Sequence, residues 1–351
     1  MYQSDELDVW NLTPGVTATT GAQTVFNVVG RVKKVEEIAM LSYRLNDGPL
    51  RQVFVNPKRG RTGRLHRFGD FNIDTIMLDE LHAENRLVLR LERLNGSDTE
   101  HEISFATQPF PTGDPSFQLK LAGTERPEEL GQIVDGKWHV NRDEAGEPCL
   151  EVLLEDAGYD RIILFGHRDW TTNYEITARI SVPEWTGAVH LAGLLFKWQP
   201  HLQGDGTHLP TEWSTGLAYY ASNTAGLRIH YGVDMRTPNE QDHVLAEAPL
   251  SRWRRWTWAV QYGARKHKRF GRERVPFIKL PRAQMLPGVQ YRFRMLVTPQ
   301  RHVLTVWRAN RPEPAPQLVV SEPTECLPDG PVGIVFYHSA GRIYEFDVAP
   351  A

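Results

Sequence analysis

The stretch Asn173-Tyr174-Glu175-Ile176-Thr177-Ala178-Arg179-Ile180 alternates polar and apolar side chains over its whole length. Tyr344-Glu345-Phe346-Asp347-Val348, close to the other end of the chain, does the same. Successive side chains of a strand point to opposite faces, so this period of two describes a strand with one face in a core and one in water. Tyr159-Asp160-Arg161-Ile162-Ile163-Leu164 and Pro331-Val332-Gly333-Ile334-Val335-Phe336-Tyr337-His338 are denser apolar runs of strand length. Between them lie further runs at 189–198, 216–221, 226–231, 255–261, 290–297 and 302–307, and no segment has the 3.6-residue periodicity of an amphipathic helix. Short strands at regular spacing, with turn residues between them, predict an all-β sandwich or barrel.

Upstream, residues 24–30, 39–45, 52–55, 71–74, 86–92 and 102–105 repeat the pattern in a smaller unit. Asn46-Asp47-Gly48 and Asn95-Gly96 punctuate it, supplying the positive φ angles that tight turns need. About seven short strands in roughly a hundred residues predict an immunoglobulin-like β-sandwich. Pro109, Pro111, Gly113-Asp114-Pro115 and Arg126-Pro127 then interrupt the periodicity. The expected organisation is a first sandwich over 1–110, a linker over 111–130 and a larger sandwich over 131–351.

A chain of 351 residues with 40% apolar content is long enough for two ordinary cores. The formal net charge of −3 provides no global attraction to nucleic acid or to an anionic membrane, and neither is expected as a partner. Cys149 and Cys326 are the only cysteines, too few for a disulfide framework, and are read as buried thiols. The first residues, Met1-Tyr2-Gln3-Ser4-Asp5-Glu6, lack the apolar core of a leader. The expectation is a soluble protein, cytoplasmic if the chain is complete as given and extracellular if a leader was removed.

The order of Tyr174–Arg179, then Ala192-Gly193-Leu194-Leu195-Phe196, Tyr291-Arg292-Phe293-Arg294 and Gly330–Phe336 ahead of a final strand resembles the concanavalin A-like lectin and glucanase superfamily, particularly its laminin-G-like branch. The segment holding Ser42–Gly48, Gly69–Ile73 and Asn85–Leu89 resembles bacterial immunoglobulin-like modules appended to carbohydrate-active proteins. The first resemblance implies a jelly-roll β-sandwich with a concave sheet that binds glycans, cleaves them or mediates contacts.

Within that frame, Arg228 and His230 share one face of their strand, and Arg292 and Arg294 share the polar face of theirs, opposite Tyr291, Phe293, Met295 and Val297. If the two strands share the concave sheet, these four line one groove suited to hydroxyl-rich or carboxylate-bearing sugars, as an oligo- or polysaccharide partner would present. Trp198 leads into the loop 199–213, which contains Asp205 and ends at Trp213. Trp198, Gln199, Trp213 and Tyr220 are the expected contacts there, because loops carry function and aromatic rings stack on sugar faces. Trp256 and Trp258, on an unbroken apolar stripe, are read as core.

Carbohydrate recognition is thus the leading expectation, with a glycan-active enzyme and a structural interaction module as the other two readings. Against hydrolysis, the Glu-x-Asp-x-x-Glu pattern of the superfamily's glucanases is absent, and Glu345 with Asp347, two apart on one strand face, is read as a solvated face opposite Tyr344, Phe346 and Val348. An elimination mechanism would draw on Arg228, His230, Tyr231 and Gln261. No cofactor is expected unless Asp205 and loop carbonyls hold Ca²⁺, and His201 and His208 lack zinc-site spacing. Two basic segments, 58–67 and 265–274, are read either as solvated loops or as local attractors for acidic glycans.

Overall fold

A computed structural model describes residues 1–57, 64–156, 160–171, 173–184, 189–201, 214–223, 228–236, 242–249, 285–321 and 328–351. The chain is all-β, as expected: four sheets hold nearly every regular element, and helix is confined to the single turn Pro127–Leu130 and three 3₁₀ turns among the described residues. No helix there is long and apolar enough to cross a membrane.

The first sandwich pairs a four-stranded sheet with a five-stranded one. The smaller runs in the order Tyr2–Gln3, Leu7–Val9, Val25–Val32, Asp70–Met77; the larger runs Thr17–Thr20, Asp98–Pro109, Glu84–Arg93, Ile38–Leu45, Arg51–Val53. Every pairing is antiparallel except that of Thr17–Thr20 with Asp98–Pro109. Phe26, Phe71 and Ile73 from one sheet meet Leu41, Leu89, Ile103 and Phe105 from the other, and the Phe26 and Phe105 rings stack at 5.8 Å.

The second sandwich is larger. Its eight-stranded sheet runs His139–Arg142, Pro148–Val152, Gly341–Pro350, Tyr174–Ser181, Tyr291–Val297, Arg301–Arg308, Leu318–Ser321, with Phe117–Gln118 added along Gly341–Pro350. Its seven-stranded sheet runs Gln132–Asp135, Asp160–Phe165, Val332–Tyr337, Val189–Gln199, Ser214–Asn223, Arg228–Arg236, Asp242–Pro249. Alternation sets the faces: Tyr291, Phe293, Met295 and Val297 are buried between the sheets and the intervening residues are half-exposed. Tyr344 departs from this reading. A register shift beside Arg179 turns Tyr344 out of the interior, where its ring lies 5.0 Å from the Arg179 guanidinium.

The denser run Asp160–Phe165 is buried on both faces. Ile163 and Phe165 enter the interior of the second sandwich, while Ile162 and Leu164 pack with Ala22 and Phe110 from upstream. That second layer is why alternation is lost in this strand.

The segment 111–130, expected as a linker, is packed structure instead. Phe117 lies against Phe110, Phe165 and Phe346, while Leu119, Leu121 and Leu130 are buried. Its prolines and glycines mark turns in a strap that follows the second sandwich, because each apolar side chain between them finds core. A polar chain crosses the same seam. Gln23 accepts from Trp198 Nε1 at 3.0 Å and donates to Asn27, Asn27 donates to Asn72 at 2.9 Å, and Asn72 donates to Asp135 at 2.8 Å. Cys149 is a free, buried thiol, and burial raises its pKa to about 12. Cys326 lies outside the described residues.

Candidate functional site

The residues expected to share one groove are divided between two sheets. Arg292 and Arg294 stand on the outer face of the eight-stranded sheet, whereas Arg228 and His230 belong to a strand of the seven-stranded sheet. The sheets are the two layers of one sandwich, so the four-residue groove does not form. Sequence reasoning could not see this, because strand partnership is decided by pairings far apart in the chain.

The outer face of the eight-stranded sheet is a lattice of ion pairs. Arg292 Nη1 lies 2.8 Å from Glu345, Arg179 lies 2.6 Å from Glu147 and 2.8 Å from Glu345, and Arg294 reaches Glu313 at 2.5 Å and Glu175 at 3.7 Å. The Arg179 hydrogen bond holds the Glu147 carboxyl below its ordinary range. Arg292 and Arg294 therefore already have carboxylate partners, which an incoming uronate would have to displace. Burial, and then the Glu345 charge, push Asp347 above the usual carboxylate range. Since Glu345 is engaged by two guanidiniums, this is not an open pair of carboxylates flanking a substrate.

On the seven-stranded sheet, two expected contacts are interior. Tyr220 is 1% exposed and packs between the sheets with Ala218 and Phe196. Trp198 is also 1% exposed, joins Leu195 and Leu217 under the upstream segment, and donates its indole N–H to Gln23. Lys197, at φ +53, and the register shift between Phe196 and Gln199 explain Trp198: the irregularity breaks the alternation that would have assigned its face. Neither ring is a surface contact. Gln199 is half-exposed and donates from Nε2 to the carbonyls of Pro328 and Asp329, both at 3.3 Å.

Asp205, Trp213, His208, Trp256, Trp258, Gln261 and the basic segment 265–274 lie outside the described residues. For the strand Arg228–Arg236 the backbone register is defined: His230 pairs with Ala221, Arg228 with Asn223 and Tyr231 with Tyr220. Directly paired residues share a face. Position 230 therefore falls on the Ala221 side and position 231 on the Tyr220 side, which separates the two positions an elimination mechanism would have joined.

The outer row of the seven-stranded sheet reads Tyr337, Leu191, Ala221, then position 230. Tyr337, Leu191 and Ala221 are all half-exposed. Sequence reasoning missed Tyr337, although the alternation of Val332, Ile334 and Phe336 into the interior already placed it on the opposite face. The Tyr337 ring meets His338 edge-on at 4.0 Å between centroids, which restrains it. Among the described residues no cluster of His, Cys, Asp and Glu is arranged to hold a metal ion.

No protein-family model matches the chain, and no curated protein does. Among solved structures, the carbohydrate-binding module CBM66 from Bacillus subtilis is 9% identical, covering 60% of this chain and 89% of its own, with a TM-score of 0.32. A Bacillus subtilis protein of unknown function with a galectin-like fold is 11% identical over 69% of this chain and 98% of its own, with a TM-score of 0.40. The xylan β-1,4-xylosidase from Bacillus halodurans C-125 is 10% identical over 97% of this chain and 64% of its own, with a TM-score of 0.35.

Proposed function

We propose that the larger sandwich recognises carbohydrate on the outer face of its seven-stranded sheet. The observation that carries this reading is the half-exposed row Tyr337, Leu191 and Ala221, in register with position 230. A restrained aromatic ring beside Leu191 and Ala221, which pack on one side against the cluster of Leu195, Leu217 and Val335, offers an apolar platform for the C–H face of a sugar ring. Arg228 and His230 belong to the next strand and would supply polar contacts to hydroxyl or carboxylate groups. The loop that holds Asp205 and Trp213 is left out of this face, because Gln199 and Ser214, the strand ends that flank it, lie at the opposite end of their strands from Leu191 and Ala221.

In the same proposal the first unit is an immunoglobulin-like module and the second a concanavalin A-like jelly roll, divided near 110–130. The five-stranded order, with Thr17–Thr20 parallel to the last strand of the unit, supports the first assignment. Two facing antiparallel sheets support the second.

The test is a glycan array containing neutral and uronate oligosaccharides, followed by calorimetry on the best binder with the intact chain and with Tyr337→Ala. The expected result is a loss of about tenfold or more in affinity, equivalent to ~1.4 kcal/mol. Failure of the intact chain to bind any glycan, or identical affinity in the variant, would overturn the proposed face.

A further inference from the structure

His201 stands where the two sandwiches meet, and it is buried, with 6% of its surface exposed. Its Nε2 lies 3.9 Å from Asp135 Oδ2, and its ring meets the Trp198 indole edge-on at 5.5 Å between centroids. Trp198 in turn donates to Gln23 across the seam at 3.0 Å. The charged groups that face His201 among the described residues include Arg64, from the first sandwich, and Asp135, from the second.

These two charges are already matched. Arg64 Nε donates to both oxygens of Asp135, at 3.1 and 3.2 Å, and its Nη1 donates to Asp74 at 2.9 Å. Asn72 adds a hydrogen bond to Asp135 Oδ1 at 2.8 Å. Since Arg64, Asn72 and Asp74 come from the first unit, the contacts that neutralise Asp135 also fasten the sandwiches to each other. A neutral imidazole fits beside this pairing without adding charge. An imidazolium would place a second cation next to Arg64, and could be matched only by drawing Asp135 away from it. Out of water either outcome is costly.

We propose that His201 is an acid sensor for the seam: when its ring takes up a proton, the balance among Arg64, Asp74 and Asp135 is lost and the two sandwiches loosen. The inference is independent of the glycan reading. Burial, and then the Arg64 charge, hold the His201 imidazole well below its ordinary pKa. A histidine depressed in this way contributes stability above its unfolded value of about 6.5, and that stability fades as pH falls below it. Asp135 responds with the opposite sign. Burial raises its pKa, so acidification favours the folded state at that carboxyl. Arg64 keeps its proton throughout. A seam that weakens in mild acid therefore reports the imidazole. His101, whose pKa burial also lowers, lies in the first sandwich beside Tyr2 and Glu6, and substitutions at position 201 leave it in place.

Amide hydrogen exchange of the intact chain, read by mass spectrometry between pH 7.5 and 5.5 and corrected for the intrinsic pH dependence of exchange, tests the sensor. In the parent, protection of peptides spanning 64–74 and 132–135 should fall about tenfold, the factor for a group of unfolded pKa about 6.5 that stays neutral while folded. The strand Glu84–Arg93, inside the first sandwich, is the reference and should keep its protection. His201→Gln and His201→Phe should both hold the seam protected over the same range, the second retaining an aromatic edge against Trp198. If neither variant folds, the parent decides alone: a loss confined to the seam peptides supports the sensor. Unchanged seam protection, a loss shared equally by the reference strand, or an equal seam loss in parent and variants overturns it.

Discussion

The outer face of the eight-stranded sheet and the seam between the sandwiches are both rich in arginine, yet their charges are arranged in opposite ways. On the sheet face Arg179, Arg292 and Arg294 close onto carboxylates at between 2.5 and 2.8 Å, and the network continues to Arg342, which reaches Glu144 at 2.5 Å and Glu151 at 2.9 Å. In the seam, Arg161 meets only backbone carbonyls, while Asp156 holds its cations at 3.4 Å or more. A lattice closed on itself near water is worth little, whereas the seam's charges are balanced among Asp70, Asp135, Asp156 and Asp160 inside the protein, where opening one pairing is expensive.

The largest break in this comparison should come from Asp135→Ala. It removes one of the two carboxylates paired with the fully buried Arg64 and one of the two acceptors of Asn72, and a destabilisation of about 3–5 kcal/mol is expected from opening a buried pair. Urea unfolding measures it. A change below about 1 kcal/mol would put the seam in the same energetic class as the sheet face.

Gly136→Ala sharpens the contrast within the seam itself. The positive φ and the contact with Arg161 predict a loss of about 1–3 kcal/mol in urea unfolding, because Arg161 must move. A variant as stable as the parent would show that Gly136 does not position the arginine.

The smallest effects are expected on the sheet face. Glu345→Gln should cost no more than about 1 kcal/mol, since both its cations are near solvent and Arg179 keeps Glu147. The Arg342 hydrogen bond lowers the Glu144 pKa to about 2. A carboxylate with a depressed folded-state pKa contributes stability that is present above its unfolded value and fades as pH falls towards the folded one. Glu144→Gln should therefore flatten the acid limb between roughly pH 4.5 and 2 by a fraction of 1 kcal/mol, the pair being exposed. An unchanged acid limb in equilibrium unfolding would show that this pair carries no net stability.

Much of the architecture was legible from local pattern. The alternation in Tyr291–Val297 correctly assigned core and solvent faces, because side-chain direction in a strand is a property of the backbone. The candidate site was far less legible. Trp198 and Tyr220 were read as contacts from their aromatic chemistry, but a bulge at Lys197 and the covering segment around Gln23 put the first in a core, and its position between the sheets put the second in another. Arg64 lies in a run of cations that reads as solvated, and nothing in that run marks it as fully enclosed. The one local hint of the seam is Asp135-Gly136, a carboxylate followed by a residue able to adopt positive φ.

The sequence by itself determined that this protein is built from strands, which side of most strands is apolar, and where turns fall, since all three follow from backbone geometry and side-chain size over a few residues. Only the tertiary structure decided which strands share a sheet, which arginines find carboxylates and that residues 111–130 are packed. Those outcomes depend on pairings between residues such as Arg64 and Asp135, or Arg179 and Glu345, far apart in the chain. Their energies arise from burial and proximity, which no local pattern encodes.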